Sequence, residues 1–190
     1  MDDSVKLALA KWPNVPHCYG WLSLDRRGQW RLQGDPLRHA GLTAFIGRNY
    51  GHDGQGQWFF QNGPQRVYVH LDYLPWVLRL DGQGQLLTHT DAPVNDLRGA
   101  WLDEDGTLLL DCEHGPALLD DRDLTAFIDR IHGADGKPAT ESALLACVAG
   151  DPAGLVLYWN DRAIPVLPIR KEAVAQAFGI DCDPQAASVS

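Results

Sequence analysis

No stretch of the 190-residue chain reaches the roughly 18 consecutive apolar residues of a membrane-crossing helix, so no place within a bilayer is expected. Basic residues are also scarce. With 16 lysines and arginines against 25 acidic residues the formal net charge is −9. That balance opposes the attraction to phosphate backbones on which non-specific nucleic-acid binding rests, and nucleic acid is not expected as a partner. The opening MDDSVKLALAKWP is acidic where a secretory signal is basic, which makes the cytoplasm the expected location. Cys18, Cys112, Cys147 and Cys182 form no C-x-x-C pair, so a zinc ribbon and a thioredoxin-like motif are excluded; reduced thiols packed as small apolar residues are expected. Also missing are a G-x-S-x-G elbow, H-E-x-x-H, a P-loop and a G-x-G-x-x-G fingerprint. The sequence therefore implies no cofactor and leans away from an enzyme. What is present, 45% hydrophobic and 22% charged residues, suits a folded protein with one large core or two small ones.

One repetition stands out. LTAFIGR at 42–48 returns as LTAFIDR at 124–130, an echo that ordinary residue usage yields about once in a hundred chains of this size. The surroundings repeat as well. In the first copy an alternating run from Tyr19 to Leu24, the turn DRRG and the run QWRLQ read as a β-hairpin. A helix is then expected, with Asp35 as N-cap, Pro36 at the first helical position and a stop at Asn49 or Gly51. The second copy has Trp101 and Leu102, the turn DEDG, a strand TLLLD, a loop insertion at CEHG, and a helix capped by Asp120 or Asp121 and ended by Gly133. A third, letterless instance is read at 154–179. Two amphipathic helices sharing letters by chance remain the alternative.

Between the copies QWFFQ, QRVYVHL, PWVLRL and QLLTHT read as strands, and Glu141–Ala149 reads as a helix from Thr140 to Gly150. The expected fold class is α+β: mainly antiparallel sheet with repeated β-hairpin-plus-helix (ββα) units in two small subdomains. The expected division is an N-terminal subdomain over 1–90, a C-terminal one over 91–182 and a flexible tail over 183–190. Trp21, Trp30, Trp58, Trp76 and Trp101 recur in the strands and are expected in the core.

The order GQWRLQGDPLRHAGLTAF, then DGQGQWFFQNGPQRVYVHLDYLPW, resembles the DUF1285 family of uncharacterised proteobacterial proteins. The likeness runs over about residues 18–80 and rests on Trp30, Gly34, Pro36, Arg38, Gly56, Trp58, Phe59, Pro64, Asp72 and Pro75. Where that family tends to carry a glutamate after the turn proline, this chain has Gln65 and Arg66, which puts any ligand role of that acid in doubt. KLALAKWPNVPHCYGWL resembles a closer family, also of unknown function. The resemblance implies two small domains with repeated motifs, no established activity, and a part in signal transduction.

Three places are candidates for function. At GDPLR a helix N-terminus with Asp35, Arg38 and His39 suits either an anion or a plain cap. At QNGPQR the groups Asn62, Gln65 and Arg66 suit either the edge of a ligand site or a hairpin turn; Asp72 joins them through the resemblance. CEH at 112–114 puts two metal-ligand types on one strand face but lacks a second pair at ligand spacing, so no metal site is assigned. The favoured function is a non-enzymatic small-ligand-sensing or adaptor module with a small molecule or a protein as partner. Two alternatives stay open: an enzyme with a dispersed site around Asp35, Arg38, His39 and Arg66, and a structural homo-oligomer, for which exposed sheet edges make a homodimer the simplest form.

Overall fold

The structure is a computed structural model that describes residues 1–12 and 15–186. It is a mixed α+β fold: among the described residues there are five α-helices and two mostly antiparallel sheets, one of six strands and one of eight. The chain divides into two compact units, the first containing residues 1–75 and the return segment from Gly179, the second spanning Trp76–Phe178.

Four hairpins of the two sheets share one turn, D-x-x-G-x. It occurs at 25–29, 53–57, 81–85 and 103–107. In each the aspartate Oδ1 accepts from the backbone N–H groups two and four residues on, as from Gln83 and Gln85 at 2.8 Å each and from Asp105 and Thr107 at 3.0 and 2.7 Å. The glycine takes φ of +75° to +90°, a left-handed position that closes a three-residue hairpin loop. An aspartate that satisfies two N–H groups and a glycine free of a Cβ therefore set each turn from five consecutive residues.

Unit 1 opens with helix α1 (Asp3–Lys11) and continues through β1 (Cys18–Leu24), β2 (Trp30–Leu32), β3 (Asp35–Pro36), helix α2 (Ala40–Arg48), β4 (Tyr50–His52), β5 (Trp58–Asn62) and β6 (Gln65–Leu71). The sheet order is β3-β2-β1-β6-β5-β4. All pairs are antiparallel except β1 with β6. Leu22, Leu24, Trp30, Val69 and Leu71 form its buried core.

The start of α2 departs from the expectation. Asp35 and Pro36 pair with Leu32 and Arg31 as a short edge strand, and the helix begins at Ala40 with His39 as N-cap, its Nδ1 accepting from the Leu42 N–H at 3.1 Å. The reason lies in Gln33 and Gly34, whose φ values of +50° and +89° make a tight hairpin turn that carries Asp-Pro back along β2. Proline tolerates this place because an edge strand leaves its missing donor without consequence. Asn49 does close α2 as the C-cap.

After its excursion the chain is stitched back onto unit 1. The Asp181 N–H donates to Gly56 O, Gln57 donates to the Asp181 carboxylate at 2.8 Å, the Leu71 N–H donates to Cys182 O, and His70 Nδ1 meets Asp183 at 2.9 Å. Residues 187–190 of the expected tail lie outside the described residues.

Unit 2 contains β7 (Trp76–Leu80), β8 (Leu86–Thr88), β9 (Leu97–Leu102), β10 (Leu108–Cys112), β11 (Gly115–Leu119), α3 (Leu124–Ile128), β12 (Ile131–His132), α4 (Glu141–Ala149), β13 (Val156–Trp159), β14 (Arg162–Pro168) and α5 (Lys171–Ala177). The order is β12-β13-β14-β9-β10-β11-β7-β8, with parallel pairs at β14–β9 and β11–β7. The unbroken run Leu108–Leu110 is buried throughout, as a strand covered on both faces requires. Helix α4 matches its expected bounds, with the Thr140 side chain accepting from Ala143 and Gly150 left-handed at the stop.

Two expectations fail here. CEHG is a β10–β11 hairpin with Cys112 opposite Gly115, because its two central residues suffice for a turn. The second LTAF helix ends at Ile128 instead of Gly133, since Ile131 leaves it to pair with Leu157. Of the five tryptophans expected in the core, Trp30, Trp58 and Trp76 are buried, whereas Trp21 is 51% exposed and Trp101 half-buried.

Asp120 caps the 3₁₀ turn at Asp121–Asp123, accepting from the Arg122 N–H and pairing with its guanidinium. The Arg122 hydrogen bond holds the Asp120 carboxyl below its ordinary value. The folded value lies under the unfolded one, so the ionised form favours folding at neutral pH. That share of stability is expected to drain away as pH falls below about 4, and Asp120→Asn should flatten the acid limb of a stability–pH curve.

Glycines 54 and 56 give a second test. Both have positive φ, but a Cβ on Gly54 meets open space while one on Gly56 would lie 2.3 Å from the Gly179 carbonyl oxygen. Gly54→Ala should cost about 1 kcal/mol for its left-handed backbone, and Gly56→Ala at least twice that, measured by urea denaturation.

Candidate functional site

Unit 1 contains an apolar cavity of about 420 Å³ between α2 and strands β1, β2, β5 and β6. Its floor is core: Leu22, Ile46 and Phe60 are nearly inaccessible. Its mouth is made of large apolar side chains left in water, with Trp21 51%, Leu32 44% and Leu42 38% exposed. Single exposed leucines are ordinary on a protein surface, but here three large apolar groups share one concavity, a larger apolar patch than scattered residues make.

Local structure explains the placement. Gly20, at φ +73°, bulges β1, and its pairing with β6 slips between Cys18 and Leu22. A bulge re-aims the side chains that follow it, and here Trp21 faces the mouth. Across the site α2 is fixed by Phe45, whose ring meets Phe60 edge-on at 5.4 Å.

The polar edge comes from the β5–β6 hairpin. Asn62 and Gln65 are register partners across a two-residue turn, Gly63–Pro64, and both line the cavity. The Gln65 amide donates to Pro16 O at 2.9 Å, which fixes its orientation and leaves its carbonyl oxygen as an acceptor.

The other sequence candidates lie elsewhere. Asp35, Arg38 and His39 are exposed, and the His39 ring is engaged as helix cap. Arg66 lies 4.5 Å over the Phe59 ring. Asp72 is 3.9 Å from His70, which also meets Asp183. Cys112 donates to Gly115 O and His114 bonds Pro93 O at 2.9 Å; among the described residues no three His, Cys, Asp or Glu side chains converge. Cys18, Trp21, Leu37 and Leu42 were not among the site residues expected from sequence, and Trp21 was expected in the core. Two signals could have turned Trp21 outward: its alternation with Leu22 and Leu24, and the preceding glycine, which within a strand hints at an irregularity.

The family model DUF2944, described as "Protein of unknown function (DUF2946)", matches residues 1–185. The chain belongs to that family. No curated protein matches the sequence. Among solved structures this DUF2944 member is similar to a DUF1285 family protein from Silicibacter pomeroyi DSS-3, with a TM-score of 0.55 and 16% identity over 85% of this chain and 87% of that one. A DUF1285 family protein from Shewanella baltica OS155 gives a TM-score of 0.44 and 15% identity over 57% of this chain and 91% of that one. The first of these establishes a shared fold. No helix among the described residues is long and apolar enough to cross a membrane.

The four free thiols offer a direct probe of the cavity. Burial pushes Cys112 up to about 11 and also raises Cys147 and Cys182, so these three resist alkylation at neutral pH. Cys18 lines the cavity. A thiol reagent should label Cys18 first in the native protein, a phase that Cys18→Ser removes, with Cys112 and Cys147 reacting only on unfolding.

Proposed function

We propose that the chain is a non-enzymatic ligand-binding module, in which the unit 1 cavity takes the apolar part of a small amphipathic molecule and Asn62 and Gln65 hydrogen-bond its polar end. The observation that carries this reading is the coincidence of a 420 Å³ cavity with exposed Trp21, Leu32 and Leu42 at its mouth. Pockets that bind small molecules share this make-up, mostly apolar with a few placed polar groups. A cytoplasmic sensing role in signalling fits such a module, because a ligand seated between α2 and the sheet would bias the position of the helix.

The same reading treats the two sheets as copies of one unit. In its support, β4-β5-β6-β1-β2-β3 and β12-β13-β14-β9-β10-β11 run in the same order, antiparallel except at the β6–β1 and β14–β9 joints. The two LTAF helices also take the same place, between the third and fourth strands. The repeated element would then be three strands, a helix and three strands, larger than a hairpin plus a helix, and 154–179 would match β5–β6 instead of forming a third copy.

The test is a homologous series of straight-chain alkyl amides titrated against tryptophan fluorescence. Affinity should rise about fourfold per methylene, equivalent to ~0.8 kcal/mol, until the chain outgrows the cavity. Leu42→Asp should abolish the response. A fluorescence change that fails to saturate, or that Leu42→Asp leaves intact, would sink the proposal.

A further inference from the structure

Unit 2 holds a second, smaller cavity of about 190 Å³, lined by Arg130, Trp159, Gln85, Asn95 and Asn160 among others. Two of these side chains lack what their chemistry asks for. Trp159 is 4% exposed, and its indole Nε1–H is buried with no hydrogen-bond partner among the described residues. A buried donor left unpaired costs its desolvation, which proteins ordinarily avoid. The ring cannot turn away, because it stacks on Phe127 at 5.6 Å.

Arg130 is the other. Its guanidinium lies 4.9 Å over the Trp159 ring and donates to Gly84 O at 3.4 Å. It meets no carboxylate among the described residues, whereas Arg79, Arg98, Arg122 and Arg162 of the same unit each pair with an aspartate. The cavity wall thus carries side by side a cationic side chain that meets no carboxylate and a tryptophan whose buried N–H lacks an acceptor among the described residues.

We propose that this cavity binds the carboxylate of a small organic anion, held by the Arg130 guanidinium and the Trp159 indole N–H. A carboxylate only accepts, and its two coplanar oxygens match a guanidinium fork. A phosphate dianion fits less well, since one arginine is the only cation at the wall. The first echo offers a parallel: Arg48 ends LTAFIGR as Arg130 ends LTAFIDR, and Arg48 holds the Asp2 carboxylate through Nε at 3.2 Å and Nη2 at 3.3 Å. The site is separate from the unit 1 cavity and does not depend on what binds there.

The experiment follows the Trp159 indole ¹⁵N–¹H resonance, assigned with Trp159→Phe, during titration with sodium acetate at constant ionic strength, with inorganic phosphate as a second arm. A saturable downfield shift in acetate is expected. Arg130→Gln should weaken it about tenfold or more, the scale of one charge-assisted hydrogen bond. Trp159→Phe keeps a ring against Phe127 and should lower acetate affinity by calorimetry. Arg130→Lys, which keeps the charge and loses the fork, serves if the glutamine variant does not fold, and it too should bind more weakly. No saturable shift, an unchanged shift in both arginine variants, or tighter binding of phosphate than acetate overturns the assignment.

Discussion

The fold of unit 1 depends on one pairing, the parallel ladder between β1 and β6. Neighbouring antiparallel strands can be joined by a few residues, but a parallel pair needs a crossover that carries the chain back to the same end. Everything between residues 24 and 65 is that crossover. It holds two strands on one side, α2 across the sheet and two strands on the other side, so both ends of the segment meet in the middle of the sheet. Sheet 2 has the same kind of joint between β9 and β14, with α3 and α4 in its crossover.

The unit 1 cavity is a product of that arrangement. A helix on a crossover is tied to the sheet at its two ends and by the side chains it buries. Helix α2 is a mere nine residues long and buries Ile46 fully, with Phe45 against Phe60. Near Leu37 and Leu42 it leaves room, and the bulge at Gly20 turns Trp21 toward the opening instead of filling it. The chain thus combines a close-packed sheet with a loosely covered corner, and an apolar ligand gains most where the protein has not already closed upon itself.

Much of the local structure was legible beforehand. The D-x-x-G-x turns, the Thr140-to-Gly150 helix and the QWFFQ and QRVYVHL strands rest on contacts within a few residues. The misread places are those where a local signal was overruled by a partner distant in the chain. Asp-Pro after a glycine resembles a helix start, but β2 recruited it as an edge strand. Ile131 could have extended a helix, but Leu157 paired with it. Trp21 sits between Gly20 and Leu22, and since side chains on a strand change faces with each residue it lies opposite buried Leu22 and Leu24, on the side left in water.

The candidate site shows the same division. Asn62 and Gln65 could be proposed from sequence because a hairpin turn displays its flanking residues. Arg130 and Trp159 lie on separate elements and carry no motif between them, so nothing in the linear order joined them. By itself, the sequence determined the turns, the caps, the apolar strands and an acidic charge balance, since those follow from neighbouring residues and from counting. Only the tertiary structure decided which strands lie parallel, which tryptophans are buried and which arginines meet a carboxylate, because each depends on groups that meet only after the chain has folded back on itself.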